Sequence, residues 1–210
     1  MKNDKSEENA IIVFVKNPIP GKVKTRLAAT MGEKAALHVY LQLIDRLKSR
    51  IAGSTNPVYI FYSDYIDPAD YWPVQKCTKH VQTGNDLGER MSDAFAKVLS
   101  RHKKAVLIGS DCPMVDTGLL EQAMDGLENV DVVIGPAADG GYYLIGMKKR
   151  YDTLFNDIPW STDNVLEATI RKAKESSISL HHLGELRDVD DENDFLFYVN
   201  QGILTQPGAL

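Results

Sequence analysis

Apolar residues fall along this chain in two alternating rhythms. Short runs such as Ala10–Val15 (AIIVFV), Val58–Tyr62 (VYIFY), Ala105–Ile108 (AVLI) and Tyr142–Met147 (YYLIGM) have the length of strands covered on both faces. Between them apolar positions recur at helical spacing, as in Leu37, Leu41, Ile44, Leu47 and Ile51, or Leu87, Met91, Phe95 and Val98. The pattern predicts a further strand at Val130–Ile134 and shorter ones at His80–Gln82 and Ser179–His181. It predicts further helices over Leu119–Leu127, near Asn164–Lys174, and over Glu192–Asn200. After the second strand comes a less regular stretch that begins with polar residues and Pro68.

Strand–helix alternation with near-continuous apolar strands implies an α/β fold with a mostly parallel sheet and helices on both faces. No shift in composition divides the chain, so one domain is expected over residues 10–204. Residues 1–9 and the final TQPGAL read as mobile ends. In open sheets of this kind, ligands bind beyond the carboxyl ends of the strands. The residues that follow each strand therefore carry the search for chemistry.

Composition narrows the partners. The 210 residues are 43% hydrophobic and 25% charged with a formal charge of −5, values of a folded protein and not of a nucleic-acid polymer binder. Cys77 and Cys112 are too far apart to suggest a disulfide framework or a zinc site, and read as free buried thiols of a reducing compartment. The N-terminus is polar and acidic, unlike a secretory signal, and no apolar segment reaches the roughly 20 residues that span a bilayer. A cytoplasmic protein without a membrane span is expected.

The first strand is followed by NPIPGKVKTRLA, in which Pro20 and Gly21 precede Lys22, Lys24 and Arg26. This segment is either a solvated basic turn or a cradle for an anion, the prolines fixing its path and the cations supplying charge-assisted hydrogen bonds. The spacing is not that of a P-loop. After the strand at Ala105–Ile108 comes GSDCP, where Asp111 is either a turn residue or a carboxylate partnered by a divalent cation beside diphosphate oxygens. Asp139, Gly140 and Gly141 make a good hairpin turn, and the glycines equally permit close approach of a sugar or phosphate. In GNDLGER, Gly84 and Asp86 precede a helix that Asp86 could cap. In RDVDDENDF, Asp188 and Asp190 alternate and could share a face, Asp190 being a second metal ligand or part of an acidic helix start. His181 and His182 lack helical metal-ligand spacing, and Ser161 or Thr162 after Trp160 is most simply a helix cap.

With these segments in view, the chain resembles the nucleotide-diphospho-sugar transferase (GT-A-like) superfamily. It is more closely similar to a bacterial glycosyltransferase family formerly known only as a domain of unknown function, related to 2-phospho-lactate guanylyltransferase and to an arsenosugar-biosynthesis glycosyltransferase. FVKNPIPGKVKTRLA, QTGNDLGERM, LIGSDCP, GPAADGGYYLIG, PWST and DVDDENDF carry the likeness, in order, over most of residues 11–195. The resemblance implies a Rossmann-like GT-A three-layer sandwich with a nucleotide at the strand ends. It further implies phosphates held by the first loop through Lys24 and Arg26, and Mg2+ or Mn2+ on Asp111 with Asp190 as second acid. Asp139, Gly140 and Gly141 would then face the acceptor or sugar. The chain lacks the Gly-rich first loop of sugar-nucleotide pyrophosphorylases and a D-x-D triplet after the central strand.

Two reactions fit these parts. In glycosyl transfer, the first expectation, a nucleoside diphosphate leaves the anomeric carbon of a nucleotide sugar and a small-molecule acceptor hydroxyl attacks, with Asp139 as base. In nucleotidyl transfer, a phosphorylated small molecule attacks a nucleoside triphosphate, and Lys24 and Arg26 stabilise pyrophosphate. A nucleotide-binding protein without chemistry is the alternative of another class.

Overall fold

The computed structural model describes residues 8–67, 70, 72 and 77–208. Residues 1–7, Pro68 and the last two residues, which enter the expectations above, lie outside the described residues.

The elements run β1 (Asn9–Val15), α1 (Thr25–Met31), α2 (Glu33–Ile51), β2 (Val58–Tyr62), β3 (Cys77–Val81), α3 (Leu87–Leu99), β4 (Lys104–Ile108), α4 (Thr117–Asn129), β5 (Val132–Pro136), β6 (Tyr142–Met147), α5 (Val165–Glu175), β7 (Leu180–His182) and α6 (Glu192–Asn200). A short 3-10 turn at Asp152–Leu154 lies between β6 and α5. The seven strands form one sheet in the order β3-β2-β1-β4-β6-β5-β7. Pairing is parallel except at β6, which runs antiparallel to both β4 and β5.

The unbroken apolar strands are explained by two cores. Ile11, Val13, Ile60, Val106 and Ile108 face α2 and α4 through Tyr40, Ile44, Leu47, Leu120 and Leu127. Their neighbours Ile12, Phe14, Phe61, Ala105 and Leu107 face α3 through Met91, Phe95 and Val98. A strand buried on both faces cannot alternate with polar residues, so it reads as a continuous run. The result is the three-layer α/β sandwich that the pattern predicts.

Two elements depart from the expectation. The chain after β1 makes a separate helix, α1, ended by Gly32 at φ 85°. Its seven residues show one fully buried position, Leu27, too few for a periodic signal. The expected strand at His80–Gln82 is β3, three residues earlier at its start, and it lies on the sheet edge with half-exposed residues. Among the described residues, no helix is long and apolar enough to cross a membrane. Cys112 is buried, as expected of a free thiol, whereas Cys77 at the start of the edge strand is only half-buried.

Candidate active site

Three chain segments meet at the carboxyl end of the sheet centre: the loop after β1, the turn after β4, and the segment before α6. Packing brings them together. Leu27 of α1 shares a core with Val39 and Leu43 of α2 and with Val189, Phe195 and Tyr198 around α6. That contact sets the start of α1 against the acidic segment at 188–190.

Lys24 stands at this junction. Its backbone is left-handed (φ 48°, ψ 50°), an unusual state for a residue with a Cβ. Its side chain is 4% exposed, and Nζ lies 2.6 Å from Asp111 Oδ1 and 3.6 Å from Asp190 Oδ1. The ammonium makes no aligned hydrogen bond, so charge alone holds it there. Arg26 differs: its side chain is 71% exposed and Nη1 lies 3.7 Å from Asp190 Oδ2.

The acids repel one another in a partly desolvated place. Asp188 keeps some surface open to solvent, but its Oδ1 is fully enclosed and has no hydrogen-bond partner. Burial first, then the charges of Asp111, Asp139 and Asp190, push its carboxyl up to about 8, with Lys24 opposing. Burial also raises Asp190, reinforced by Asp111 and Asp139 and offset by Lys24 and Arg26.

A cavity of about 600 Å³ opens over these groups, a usual size for a small-molecule site. It is lined by Lys16, Lys24 and Arg26 from the end of β1 and the segment after it, and by Asp139, Trp160 and Asp163 from the β5–β6 turn and the approach to α5. A second cavity of about 340 Å³ includes Ser63, Gln82, Arg90 and Met91, and shares Asp111, Asp188, Tyr142, Leu87 and Lys16 with the first. The two therefore join around Asp111 and Asp188.

Of the residues singled out in the sequence, Lys24, Arg26, Asp111, Asp139, Gly141 and Asp190 line the larger cavity. Pro20, Gly21, Lys22, Gly84, Asp86 and Gly140 line neither. Asp86 is the cap of α3, accepting from Glu89 N at 2.8 Å. The Gly84 carbonyl accepts from Arg90 Nε at 3.1 Å. Gly140 sits in the β5–β6 turn, where Gly140 N donates to Ala137 O and Asp139 Oδ1 accepts from Gly141 N. Asp139 thus closes the hairpin turn and lines the larger cavity at once. Asp188, Lys16, Trp160 and Asp163 join the site beyond the sequence-derived set. For Asp188 the signal was its alternation with Asp190 across Val189; Lys16 and Trp160 lie within FVKNPIPGKVKTRLA and PWST, segments that carry the family likeness, and Asp163 carries no signal.

Among the described residues no group of three or more His, Cys, Asp or Glu is assembled as a metal cage. The donors present still fit a hard divalent cation that completes its shell on a ligand. They are all carboxylates, Asp188 Oδ1 is enclosed without a partner, and Mg2+ characteristically takes one or two carboxylates plus phosphate oxygens. Asp111 and Asp190, which already share one cation in Lys24, are the pair that would hold it.

The family model described as "Uncharacterized protein conserved in bacteria (DUF2064)" matches residues 47–162, more than half of the chain. The chain is a DUF2064 protein. Similar to this DUF2064 chain is a protein of Desulfovibrio desulfuricans G20 described as a candidate nucleotide-diphospho-sugar transferase. The two are 33% identical, with 93% of this chain and 88% of that one covered and a TM-score of 0.84. A cytidylyltransferase of Leptospira borgpetersenii is 16% identical, with 95% of this chain and 89% of that one covered and a TM-score of 0.54. The Rv0371c protein of Mycobacterium tuberculosis H37Rv, in complex with manganese, is also 16% identical, with 93% and 99% covered and a TM-score of 0.55. These last two share the fold with the DUF2064 chain. No curated protein matches it in sequence.

Proposed function

We propose that this protein is a divalent-cation-dependent transferase that moves a glycosyl group from a nucleotide sugar to a hydroxyl-bearing small molecule. The observation that carries the reading is the lining of the larger cavity: three cations, Lys16, Lys24 and Arg26, beside the carboxylates Asp111 and Asp190, with Asp139, Asp163 and Trp160 brought in by the β5–β6 turn and the approach to α5. A metal-bound diphosphate matches the first group. Acceptor hydroxyls can donate to Asp139 and Asp163, and a sugar-like face can lie on the indole.

Lys24 and Arg26 bind the diphosphate, Lys24 as a mobile point charge and Arg26 with two parallel hydrogen bonds. Asp111 and Asp190 would hold Mg2+ or Mn2+, which when bound would supply Lewis-acid stabilisation of the leaving group's charge. In transfer, the bond between the anomeric carbon and the β-phosphate oxygen breaks and its electron pair departs with the nucleoside diphosphate. The acceptor oxygen bonds to that carbon, and Asp139 receives the hydroxyl proton. The likeness to the Desulfovibrio relative supports a nucleotide-sugar donor.

A second reading, nucleotidyl transfer to a phosphorylated small molecule, is favoured by the three cations that line the cavity, enough for a triphosphate. Phosphorus NMR separates the two. Glycosyl transfer releases nucleoside diphosphate from a nucleotide sugar, and nucleotidyl transfer releases pyrophosphate from a nucleoside triphosphate. Tight nucleotide binding with neither product, over a panel of donors and acceptors, would leave a non-catalytic nucleotide-binding protein.

A further inference from the structure

We infer that Lys24 is a tethered counter-ion that occupies the carboxylates in the ligand-free protein and leaves them when a divalent cation binds, so that metal and nucleotide bind cooperatively. The inference rests on the metal–diphosphate reading of the site.

Three observations lead to it. First, the Lys24 ammonium sits on the same oxygens a metal ion would need, 2.6 Å from Asp111 Oδ1 and 3.6 Å from Asp190 Oδ1. A hard divalent ion binds carboxylate oxygens at roughly 2.0–2.6 Å. Sharing one of these oxygens would put the two cations within a few ångströms, where like charges in a partly buried site repel strongly. Second, the ammonium is held there by charge without an aligned hydrogen bond, at the end of a flexible four-carbon stem. Third, Asp188 Oδ1, beside this ion pair, is enclosed and without a partner, so Lys24 leaves part of the acidic group unsatisfied. A divalent ion would satisfy more of it.

Arg26 cannot serve the same purpose. Its head is exposed and lies 3.7 Å from Asp190 alone. Once displaced, the Lys24 ammonium needs a new anion, and a diphosphate in the same cavity supplies one. Each ligand thereby removes part of the cost of binding the other. Such coupling is reciprocal and commonly on the order of 5–150-fold.

The test uses the full-length protein, free of metal. Mn2+ binding without nucleotide, followed by electron paramagnetic resonance, should tighten about tenfold or more in Lys24→Met and shift far less in Arg26→Met, the contrast that separates displacement from a general loss of positive charge. Wild-type protein supplies an arm that does not depend on the variant folding. Under acetic anhydride labelling read by mass spectrometry, Lys24 should be protected without metal and become reactive with saturating Mn2+. Mn2+ affinity in Lys24→Met no tighter than wild type, an equal gain in Arg26→Met, or a Lys24 that stays protected at saturating Mn2+ would each overturn the inference while leaving the metal site standing. If wild type and Lys24→Met alike bind no Mn2+, with or without UDP, GDP or CDP, the metal reading of the site fails and the inference falls with it.

Discussion

The backbone N–H of Val189 donates to the carbonyl oxygen of Asp111 at 3.0 Å. This bond joins the turn after β4 to the segment before α6, across 78 positions of sequence (189 minus 111). Val189 is itself buried against Leu27 and Phe195, while its two neighbours, Asp188 and Asp190, line the cavity with Asp111. One apolar anchor thus brings three carboxylates together, and burial, reinforced by the neighbouring charges, raises the carboxyls of Asp188 and Asp190.

Asp188 gives the pH dependence its sign. Its carboxyl is raised from 3.8 to about 8, so the folded state holds the proton more tightly than the unfolded chain does. The stability it contributes is complete below the unfolded value and is lost as pH rises towards 8. The raised Asp190 acts in the same direction. Metal-free protein should therefore melt at a lower temperature at pH 8 than at pH 6. Asp188→Asn, neutral throughout, should flatten that slope, and Mn2+ should stabilise wild type more at pH 8 than at pH 6. Calorimetric melts in chelator and in Mn2+ measure both. A wild-type slope unchanged in Asp188→Asn would place the titration elsewhere.

Arg26→Ala should separate binding from folding. The side chain is 71% exposed, and its ion pair with Asp190 is long, so the melting temperature should barely move. A bond to a charged phosphate contributes about 1.5–3 kcal/mol, so nucleoside diphosphate affinity should fall roughly 10- to 150-fold. Arg26→Lys should recover part of it, because a lysine cannot form the paired contact. Titration calorimetry with and without Mn2+ gives the comparison, and equal affinity in Arg26→Ala would remove this residue from the site.

Tyr40 is a prediction about support rather than contact. Its hydroxyl accepts from Lys16 N at 2.8 Å and donates to Lys16 O at 2.9 Å, with Ser110 Oγ at 3.5 Å. It therefore ties the last turn of chain after β1 to the residue before Asp111. Tyr40→Phe leaves both backbone groups of Lys16 without that partner and should cost about 1–3 kcal/mol in urea unfolding. Nucleotide affinity should weaken less than in Arg26→Ala. A variant as stable as wild type would show that solvent replaces the hydroxyl.

How far the sequence revealed this molecule follows from what each signal depends on. β1, β2, β4 and β6 were legible because burial on both faces imposes unbroken apolar runs, and α2 and α3 because one buried face imposes a period. The helix α1 was not legible, since its position is set by the packing of Leu27, with Ala28 and Met31, into a core shared with α2 and α6, a tertiary fact. Lys24, Arg26, Asp111 and Asp190 could be suspected because each follows a strand or an extended segment at the sheet's carboxyl end. Trp160 lies in PWST, a segment of the family likeness, but its place at the cavity, like that of Asp163, was not legible, because a residue before α5 reaches the cavity only through the path of the intervening turn. Asp86 and Gly84 show the converse: residue types suited to phosphate binding that the fold uses to begin α3.

That path rests on Gly140. Its φ is +86°, and a Cβ there would stand 2.1 Å from the carbonyl oxygen of Asp163, a backbone atom with nowhere to yield. Its own carbonyl accepts from Leu166 N at 2.9 Å, so the same residue fastens the β5–β6 turn to the start of α5. Gly140→Ala should push the 160–165 segment away from Asp139 and cost more than the roughly 1–2 kcal/mol of a left-handed alanine alone. The cations and acids of the diphosphate side come from other segments, so nucleoside diphosphate affinity should survive while the acceptor KM rises. The paired measurement is a melt with nucleotide titration for binding and a donor-saturated acceptor series for KM. Loss of nucleotide affinity with an unchanged acceptor KM would reverse the assignment of the two groups of residues.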